Sequence, residues 1–407
     1  MSRPKGRTRP ARPPSRMVAL AVVASVALGC SSGAPILANL PAPEQTIGQP
    51  TPRPSVAPDP QPIALPRDDG AHDRLTEWWY YTGHLRAAGA RSFGFEYVLF
   101  RAERGAFPTS WVSHVAITDE TGGRFLYAQR LEVGSGVDRA SSNGGEPYGF
   151  DLAIVGADPG RPATANQAAW TMVGADGNDQ LAAALSPDEA ARAGASHGLG
   201  LDLRLLATKP AALHDGDGWI DFGPAGGSYY YSRTAMTASG SLTVDGQELH
   251  VDGTAWFDHQ WGDFISVGGG GWDWFAVNLA DGTDLTVSLV RDTDGSYPLV
   301  YGTLVTADGR VAHLDRDAFT VTPTAGWLSP STGADYPAGW TLDLPGQGLV
   351  IDLIPTVADQ ELDTRATTGV VYWEGSQSVA ATRDGKPLGG EAYVELTGYA
   401  PSGLARP

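Results

Sequence analysis

An all-β fold arranged as two consecutive antiparallel barrels is what this 407-residue sequence predicts, and three observations carry it. Apolar and polar residues alternate with a period of two in several runs, as in Phe93-Gly94-Phe95-Glu96-Tyr97-Val98-Leu99 and Trp111-Val112-Ser113-His114-Val115-Ala116-Ile117. Asp-Gly pairs at 245–246, 281–282, 308–309 and 384–385 separate such runs and suit the positive-φ turns of tight hairpins. The 52 glycines fit many turns and few helices. Short antiparallel strands of this kind build barrels or sandwiches. Aromatics on both faces of several strands, and a single cysteine that cannot staple a sandwich, favour barrels with ligand space.

The chain starts with a processing signal. Arg3, Lys5, Arg7, Arg9, Arg12 and Arg16 precede the apolar run Met17 to Leu28, which is short of the ~20 residues that span a bilayer. Val26-Ala27-Leu28-Gly29-Cys30 resembles the lipobox of bacterial lipoproteins, and Cys30 is the only cysteine. Residues 1–29 therefore read as a lipoprotein signal peptide and Cys30 as the lipidation site. An ordinary secretory signal with a chance cysteine is the alternative. The expected location is the outer face of a bacterial membrane, with no choice made between inner and outer membrane.

Residues 30–66 carry Pro35, Pro41, Pro43, Pro50, Pro52, Pro54, Pro58, Pro60, Pro62 and Pro66 among small polar residues. Such a composition favours extended, semi-rigid chain and reads as a tether. Loss of residues 1–29 leaves 22 basic against 46 acidic side chains, a net charge of about −24. That excess argues against nucleic acid as a partner and against anionic head groups held by the protein surface. Membrane attachment would rest on lipidated Cys30, and nothing in the chain names a protein partner.

The body divides into expected domains at 67–236 and 237–403. The Gly-rich loop from Gly223 to Gly227 and the run Tyr229-Tyr230-Tyr231 give way there to a new hairpin. This boundary would place the two aromatic motifs described next in different domains. One helix start is legible inside the first domain. Ser186-Pro187-Asp188-Glu189 offers a capping hydroxyl, a first-turn proline and a reciprocal Glu, predicting a short helix near 187–194.

Glu77-Trp78-Trp79-Tyr80-Tyr81-Thr82-Gly83-His84-Leu85 and Trp256-Phe257-Asp258-His259-Gln260-Trp261-Gly262 are the chemically richest stretches. Each aromatic buries ~150–250 Å². Strand alternation puts Trp78 and Tyr80 on one face and Trp79 and Tyr81 on the other, so both faces need cover. His259 and Trp261 likewise share a face. The expectation is a pocket for a largely apolar molecule, walled by Trp78, Trp79, Tyr80, Tyr81, Trp272 and Trp274, with His259 as its proton-handling group. Packing of a barrel core is the competing reading of the same cluster. Glu77 reads as a strand-end carboxylate paired with Arg74 or Arg101, with a buried acid as the alternative.

Leu65-Pro66-Arg67-Asp68-Asp69-Gly70-Ala71-His72 leads into the first motif. Tyr229-Tyr230-Tyr231-Ser232-Arg233-Thr234 precedes the second. Val371-Tyr372-Trp373-Glu374-Gly375 and Gly390-Glu391-Ala392-Tyr393-Val394-Glu395-Leu396-Thr397-Gly398-Tyr399 follow near the end. Together these blocks resemble the carotenoid 1,2-hydratase and AttH-like family. The resemblance implies two lipocalin-like β-barrel domains and, for its hydratase members, addition of water to the terminal double bond of an acyclic carotenoid without a cofactor. That reaction needs a Brønsted acid, stabilisation of a carbocation, and a positioned water. His259 would be the acid/base and Trp261 the cation-stabilising face. Asp258 points away from His259 on a regular strand; it would orient that ring only from a bulge, or else pair with an Arg such as Arg233.

One departure is visible. The hydratase members are similar in placing a Tyr and an Asp two apart on a strand some 25 residues beyond the His-x-Trp pair. Here that region reads Asp284-Leu285-Thr286-Val287-Ser288-Leu289 without a tyrosine, and Asp273 is the nearest replacement carboxylate. Other chemistries have little support. The eight histidines show no paired metal-ligand spacing, so no metal is expected. His214-Asp215-Gly216-Asp217-Gly218 lacks the full ligand set of a Ca²⁺ loop. Hydratase-type enzyme, non-catalytic carrier of an elongated lipid or isoprenoid, and carbohydrate binder through exposed tryptophans are the functions that remain in competition.

Overall fold

The computed structural model of the protein describes residues 58–140, 149–156, 167–265 and 269–400. The signal segment 1–29, Cys30 and the tether up to residue 57 lie outside the described residues. The last residues of the expected tether belong to the body instead. The Gln61 amide donates to the Tyr229 hydroxyl at 2.7 Å, Asp59 pairs with Arg74, and Ile63 and Leu65 pack on the first core.

The first sheet opens with a meander of β1 (Thr76–Ala87), β2 (Arg91–Ala102), β3 (Ser110–Asp119) and β4 (Arg124–Val133). Next come β5 (Phe150–Ile154), β6 (Trp170–Ala175) and β7 (Asn178–Ala184), then helix α1 (Pro187–Arg192) and β8 (Leu199–Ala207). Short β9 (Ala212–Leu213) and β10 (Trp219–Asp221) lead to the long hairpin of β11 (Gly227–Val244) and β12 (Gln247–Gly262). All pairings are antiparallel, in the order β4-β3-β2-β1-β12-β11-β8-β7-β6-β5. A bridge between Asp138 and Leu152 draws the two ends together, so the sheet curls into a nearly closed barrel.

The second sheet begins with β13 (Gly271–Leu279), β14 (Asp284–Arg291), β15 (Leu299–Val305), β16 (Val311–Leu314) and β17 (Thr320–Pro323). A two-stranded ribbon of β18 (Gly326–Leu328) and β19 (Asp335–Pro337) follows. Then come β20 (Trp340–Leu344), β21 (Leu349–Pro355), β22 (Glu361–Asp363), β23 (Val371–Arg383) and β24 (Lys386–Thr397). Its order is β16-β15-β14-β13-β24-β23-β21-β20-β17. The two sheets share one plan: four meandering strands, with the first paired to the last strand of the unit. No sequence repeat announced this.

Local chemistry explains the turns. Asp245-Gly246 and Asp384-Gly385 both have positive φ throughout (53° and 75°; 51° and 74°), the geometry of a tight hairpin that favours Asp followed by Gly. In α1 the Ser186 side chain accepts from the Glu189 amide and Glu189 accepts from the Ser186 amide, the reciprocal cap that the sequence predicted. Glu189 also receives the fully buried Arg130 guanidinium at 2.8 Å, tying the helix to β4.

The change from first to second sheet comes between Gly262 and Gly271, later than the expected boundary at 236/237, which falls inside β11. The physical reason is pairing: β12 is the neighbour of β1, so the two aromatic motifs lie side by side in one sheet rather than in two domains. The sheets then pack against each other through a tight seam. A side chain at Gly94 of β2 would collide with Ser376 and the Tyr393 hydroxyl at 2.7 Å. Polar links cross the same seam: Thr118 donates to Gln360 at 2.7 Å, and the His84 ring meets the Ala392 carbonyl at 3.1 Å.

Candidate functional site

Register decides which side chains reach the site. In the β1–β12 ladder Trp78 faces Gln260, Trp79 faces His259, Tyr80 faces Asp258 and Tyr81 faces Phe257. Side chains alternate, so Trp79, Tyr81, Phe257, His259 and Trp261 enter the first barrel's core. Trp78, Tyr80, Trp256, Asp258 and Gln260 emerge on the opposite face, toward the second sheet. There β13 meets them with Trp272 and Trp274, while Asp273 and Phe275 turn the other way.

A cavity of about 100 Å³, measured as space open to the centre of a water-sized sphere, lies between these faces. At ~10–15 Å³ per water it has room for several waters or the end of a small molecule. Its apolar wall includes Trp78, Phe100, Phe264, Trp272, Trp274 and Val290. Its polar members are Glu96, Asp258, Gln260, Glu395, Ser288 and the hydroxyls of Tyr80, Tyr230, Tyr301 and Tyr372. Among the described residues, no Lys, Arg or His lines it.

Carboxyl groups in so dry a place resist ionisation. Burial raises Glu395 to about 7, against a hydrogen bond from the Trp272 indole at 3.1 Å that favours its charge. Burial raises Asp258 to about 6, although three donors aim at it: the hydroxyls of Tyr230 and Ser232, and the Trp256 indole N–H at 2.6 Å. Tyr230 in turn accepts from the Trp274 indole at 3.1 Å, which links the sheets. Burial raises Glu96 to about 8, and Glu374, just behind the wall, is raised further by burial and by the charges of Glu96 and Glu395. Tyr80 donates to Glu374 at 2.7 Å. One oxygen each of Glu96 and Glu374 is buried without a partner.

The predicted site residues divide by face. Trp78, Tyr80, Asp258, Trp272 and Trp274 reach the cavity; Trp79, Tyr81, His259, Trp261 and Asp273 do not. The expectation that His259 and Trp261 open on an apolar hollow is overturned. His259 is 0% exposed and Trp261 3%; the His259 ring is wedged among Trp79, Tyr231 and Phe257, and the Trp261 ring among His72, Tyr229 and Tyr231. His259 Nε2–H donates to Glu77 Oε1 at 3.0 Å and His72 Nδ1–H donates to the same oxygen at 2.7 Å. Burial works against the Glu77 charge, yet the His72 charge and the two ring N–H groups hold it down to about 2. Glu77 is therefore partnered by histidines, not by Arg74 or Arg101. Those two serve Asp59 and Asp263, and Glu103.

The remaining corrections follow the same alternation. Asp258 makes no pair with Arg233, which turns into the core side and binds Asp69 at 3.2 Å. Asp273 faces away from the cavity, paired with Arg291 at 3.3 Å and accepting from Tyr399 at 3.0 Å. His72, Glu77 and His259 group three donors that could hold a metal ion. Their 2.7 and 3.0 Å separations are hydrogen-bond lengths, shorter than the ~3.3 Å between two ligands set tetrahedrally at ~2.0–2.1 Å from zinc. The group reads as a structural hydrogen-bonded triad. Of the 12 tryptophans, Trp78, Trp219, Trp272 and Trp327 are half-buried and the rest buried.

Sequence reasoning missed Glu96, Tyr230, Tyr372 and Glu395 as cavity residues. A signal existed: each acid sits in an alternating apolar strand flanked by aromatics or branched apolar residues, with no base within two positions. The missing tyrosine of β14 also finds a counterpart. Ser288 of β14 lines the cavity, and Tyr301, its partner across the β14–β15 ladder, lines it too.

Comparison with known proteins is consistent with this architecture. A family model described as AttH-like matches residues 56–399. The crystal structure of an AttH candidate from Nitrosomonas europaea is 30% identical and superposes with a TM-score of 0.68, covering 84% of this chain and 98% of that one. Kievitone hydratase from Nectria haematococca shares the fold at 18% identity, with a TM-score of 0.56 over 79% of this chain and 89% of that one. Among curated proteins, the dehydratase asqC of Emericella nidulans is 25% identical over 174 residues, which are 40% of this chain. The match spans about half, 48%, of that protein's length.

Proposed function

The chain belongs to the AttH-like family, and from that premise we propose that it adds water across a carbon–carbon double bond, or expels water from an alcohol to form one, in an apolar molecule held between its two sheets. The observation that carries this reading is the set of carboxyl groups with raised pKa facing a tryptophan-walled cavity that offers them no cation. A general acid or base works best when its pKa lies near the working pH. Glu395, near 7, is the proton donor to the alkene or the leaving hydroxyl, and Asp258, near 6, is the carboxylate that takes a proton from water or carbon. Trp78, Trp272 and Trp274 supply π-faces for a carbocation, worth ~2 kcal/mol or more when desolvated. The names of the hydratase and dehydratase above agree with this class of reaction.

The cavity is too small for a whole carotenoid, so the reading is that only the reacting end of a long ligand enters it. The elongated isoprenoid expected from the sequence remains the preferred ligand class, and attachment through lipidated Cys30 would keep the site beside a membrane, into which apolar molecules partition. Incubation with acyclic terpenoid alkenes and tertiary alcohols in ¹⁸O-labelled water tests the chemistry. Labelled hydroxyl in the product, lost in Asp258→Asn and Glu395→Gln, is expected. Tight binding without turnover would leave a carrier, and absence of both discards the proposal. Intact-mass measurement on protein from a membrane fraction tests Cys30: a diacylglyceryl adduct on a chain starting at residue 30 is expected.

A further inference from the structure

Glu96 lies on β2 and lines the cavity, and a chain of polar groups runs from its buried carboxyl through the seam to the backbone of the second sheet. The directions along that chain are forced one by one. Gln129 Nε2 donates to the Asp363 carbonyl at 3.1 Å, which fixes its amide and leaves Oε1 as an acceptor. The Thr367 hydroxyl lies 2.6 Å from that Oε1 and 3.2 Å from the Thr364 carbonyl, so its one proton is committed to an acceptor. His114 Nε2, 3.2 Å from the same hydroxyl oxygen, must then carry a hydrogen and donate it.

His114 is fully buried against Phe100, and burial drops its pKa to about 3, so the ring is neutral and Nδ1 is bare. That nitrogen takes the Tyr372 hydroxyl proton at 2.7 Å. Tyr372 has no second proton to give. An ionised Glu96 would accept from Tyr372 across the remaining 2.9 Å contact at Oε1; with the Tyr372 proton committed to His114, that contact instead needs a protonated Glu96 that donates to the Tyr372 oxygen. The alternative, an imidazolium on His114 with a carboxylate on Glu96, uses the same number of protons but buries two charges where the first arrangement buries none. With Oε1–H committed to Tyr372, Oε2 is left as a bare buried acceptor in a residue that lines the cavity.

Resting on the hydration reading above, we infer that Glu96 is the positioning residue for the oxygen that is added or lost, held as a neutral acid by the one-way chain Gln129–Thr367–His114–Tyr372 and accepting an O–H hydrogen bond at Oε2. The site thereby selects a hydroxyl-bearing apolar molecule, or water beside an alkene, over an anion or a bare hydrocarbon. No bond is made or broken at Glu96. It holds the hydroxyl or water while Glu395 and Asp258 move protons, and its neutrality avoids a further negative charge beside them.

Two measurements test this. Difference infrared spectroscopy of the full folded body should show a protonated-carboxyl stretch at pH 7 that disappears in Glu96→Gln; absence of that difference overturns the protonation state. Binding of 2-phenyl-2-propanol and of its hydrocarbon counterpart cumene, read by tryptophan fluorescence, tests the anchoring role. A single net hydrogen bond is worth about 1 kcal/mol, so the alcohol should bind about fivefold more tightly. Glu96→Leu should abolish that preference. Glu96→Gln should restore it, because an amide offers Tyr372 a donor and the cavity an acceptor in the same places. An undiminished preference in Glu96→Leu overturns the anchor while leaving the apolar site standing. Failure of both compounds to bind sinks the apolar-site reading itself, and the infrared band still reports Glu96 separately.

Discussion

Trp79 and His259 stand directly opposite each other on neighbouring strands, their rings stacked 4.7 Å apart and both 0% exposed. The histidine of the second motif is thus a packing element that also serves Glu77. Its Nδ1 has no partner, which a core tolerates only when the surrounding contacts are good. His259→Ala should therefore cost about 3 kcal/mol or more in stability, as for other large buried rings. The thermal melt reads this loss, while ligand affinity per folded molecule stays within about twofold. A selective loss of turnover with an unchanged melt would restore His259 to the reacting centre.

Asp258 is the counter-case on the next face. Three donors converge on it, so Asp258→Asn keeps the shape but leaves an N–H aimed at one of them. An unsatisfied buried group costs about 1–3 kcal/mol. Turnover should fall by roughly 10²–10⁴-fold if the carboxylate is the base. Equal turnover in the variant would move the base elsewhere in the cavity.

Stability should decline as pH rises from about 5 to 8. Glu96 (about 8), Glu395 (about 7) and Asp258 (about 6) are all raised in the fold above their free values near 4, mainly by burial. Between those limits the folded state holds protons that the unfolded chain has released. The stability they contribute is therefore complete below pH ~4 and lost as pH climbs through the folded values, at up to about 1.4 kcal/mol per pH unit per group. Glu77, held down to about 2, works in the opposite sense and loses its contribution as pH falls below ~4. Melting temperature against pH should peak near 5, and Glu395→Gln should flatten its alkaline limb.

Arg130 and Glu189 form a pair buried at both ends, 0% and 3% exposed, and Glu189 simultaneously caps α1. Removing one partner strands a charge in the core. Arg130→Ala is expected to cost about 3–5 kcal/mol, against about 1 kcal/mol for Ser186→Ala, which removes only the cap. Denaturant midpoints of the two variants check the ordering.

Much of this fold was legible because its signals are local. Period-two alternation gave the strands, Asp-Gly gave two of the hairpins their positive-φ pairs, and Ser186 with Glu189 gave the helix start. Asp176-Gly177, with both φ positive, is a turn of the same kind that went unread. Alternation also sorted Trp78 and Tyr80 from Trp79 and Tyr81 correctly. What it does not say is which side holds the void. Both faces of β1 and β12 are apolar, and only the second sheet, arriving after Gly262, determines that Asp258 rather than His259 looks into the cavity. The cavity acids Glu96 and Glu395 come from strands 299 positions apart in number, and no local pattern joins them.

The pairing of first with last strand in each sheet also sets the order of events as the chain is made. Trp79 cannot meet its neighbour until His259 has been synthesised, and Asp273 of β13 waits likewise for Leu396 of β24. Such distant contacts raise contact order and slow folding. A nascent chain halted between residues 133 and 251 would carry a four-stranded meander with the inner edge of β1 unpaired, open to neighbouring chains. This protein is consequently one whose aggregation hazard lies in its synthesis and refolding rather than in its finished state, and whose truncations should be more harmful than their length suggests.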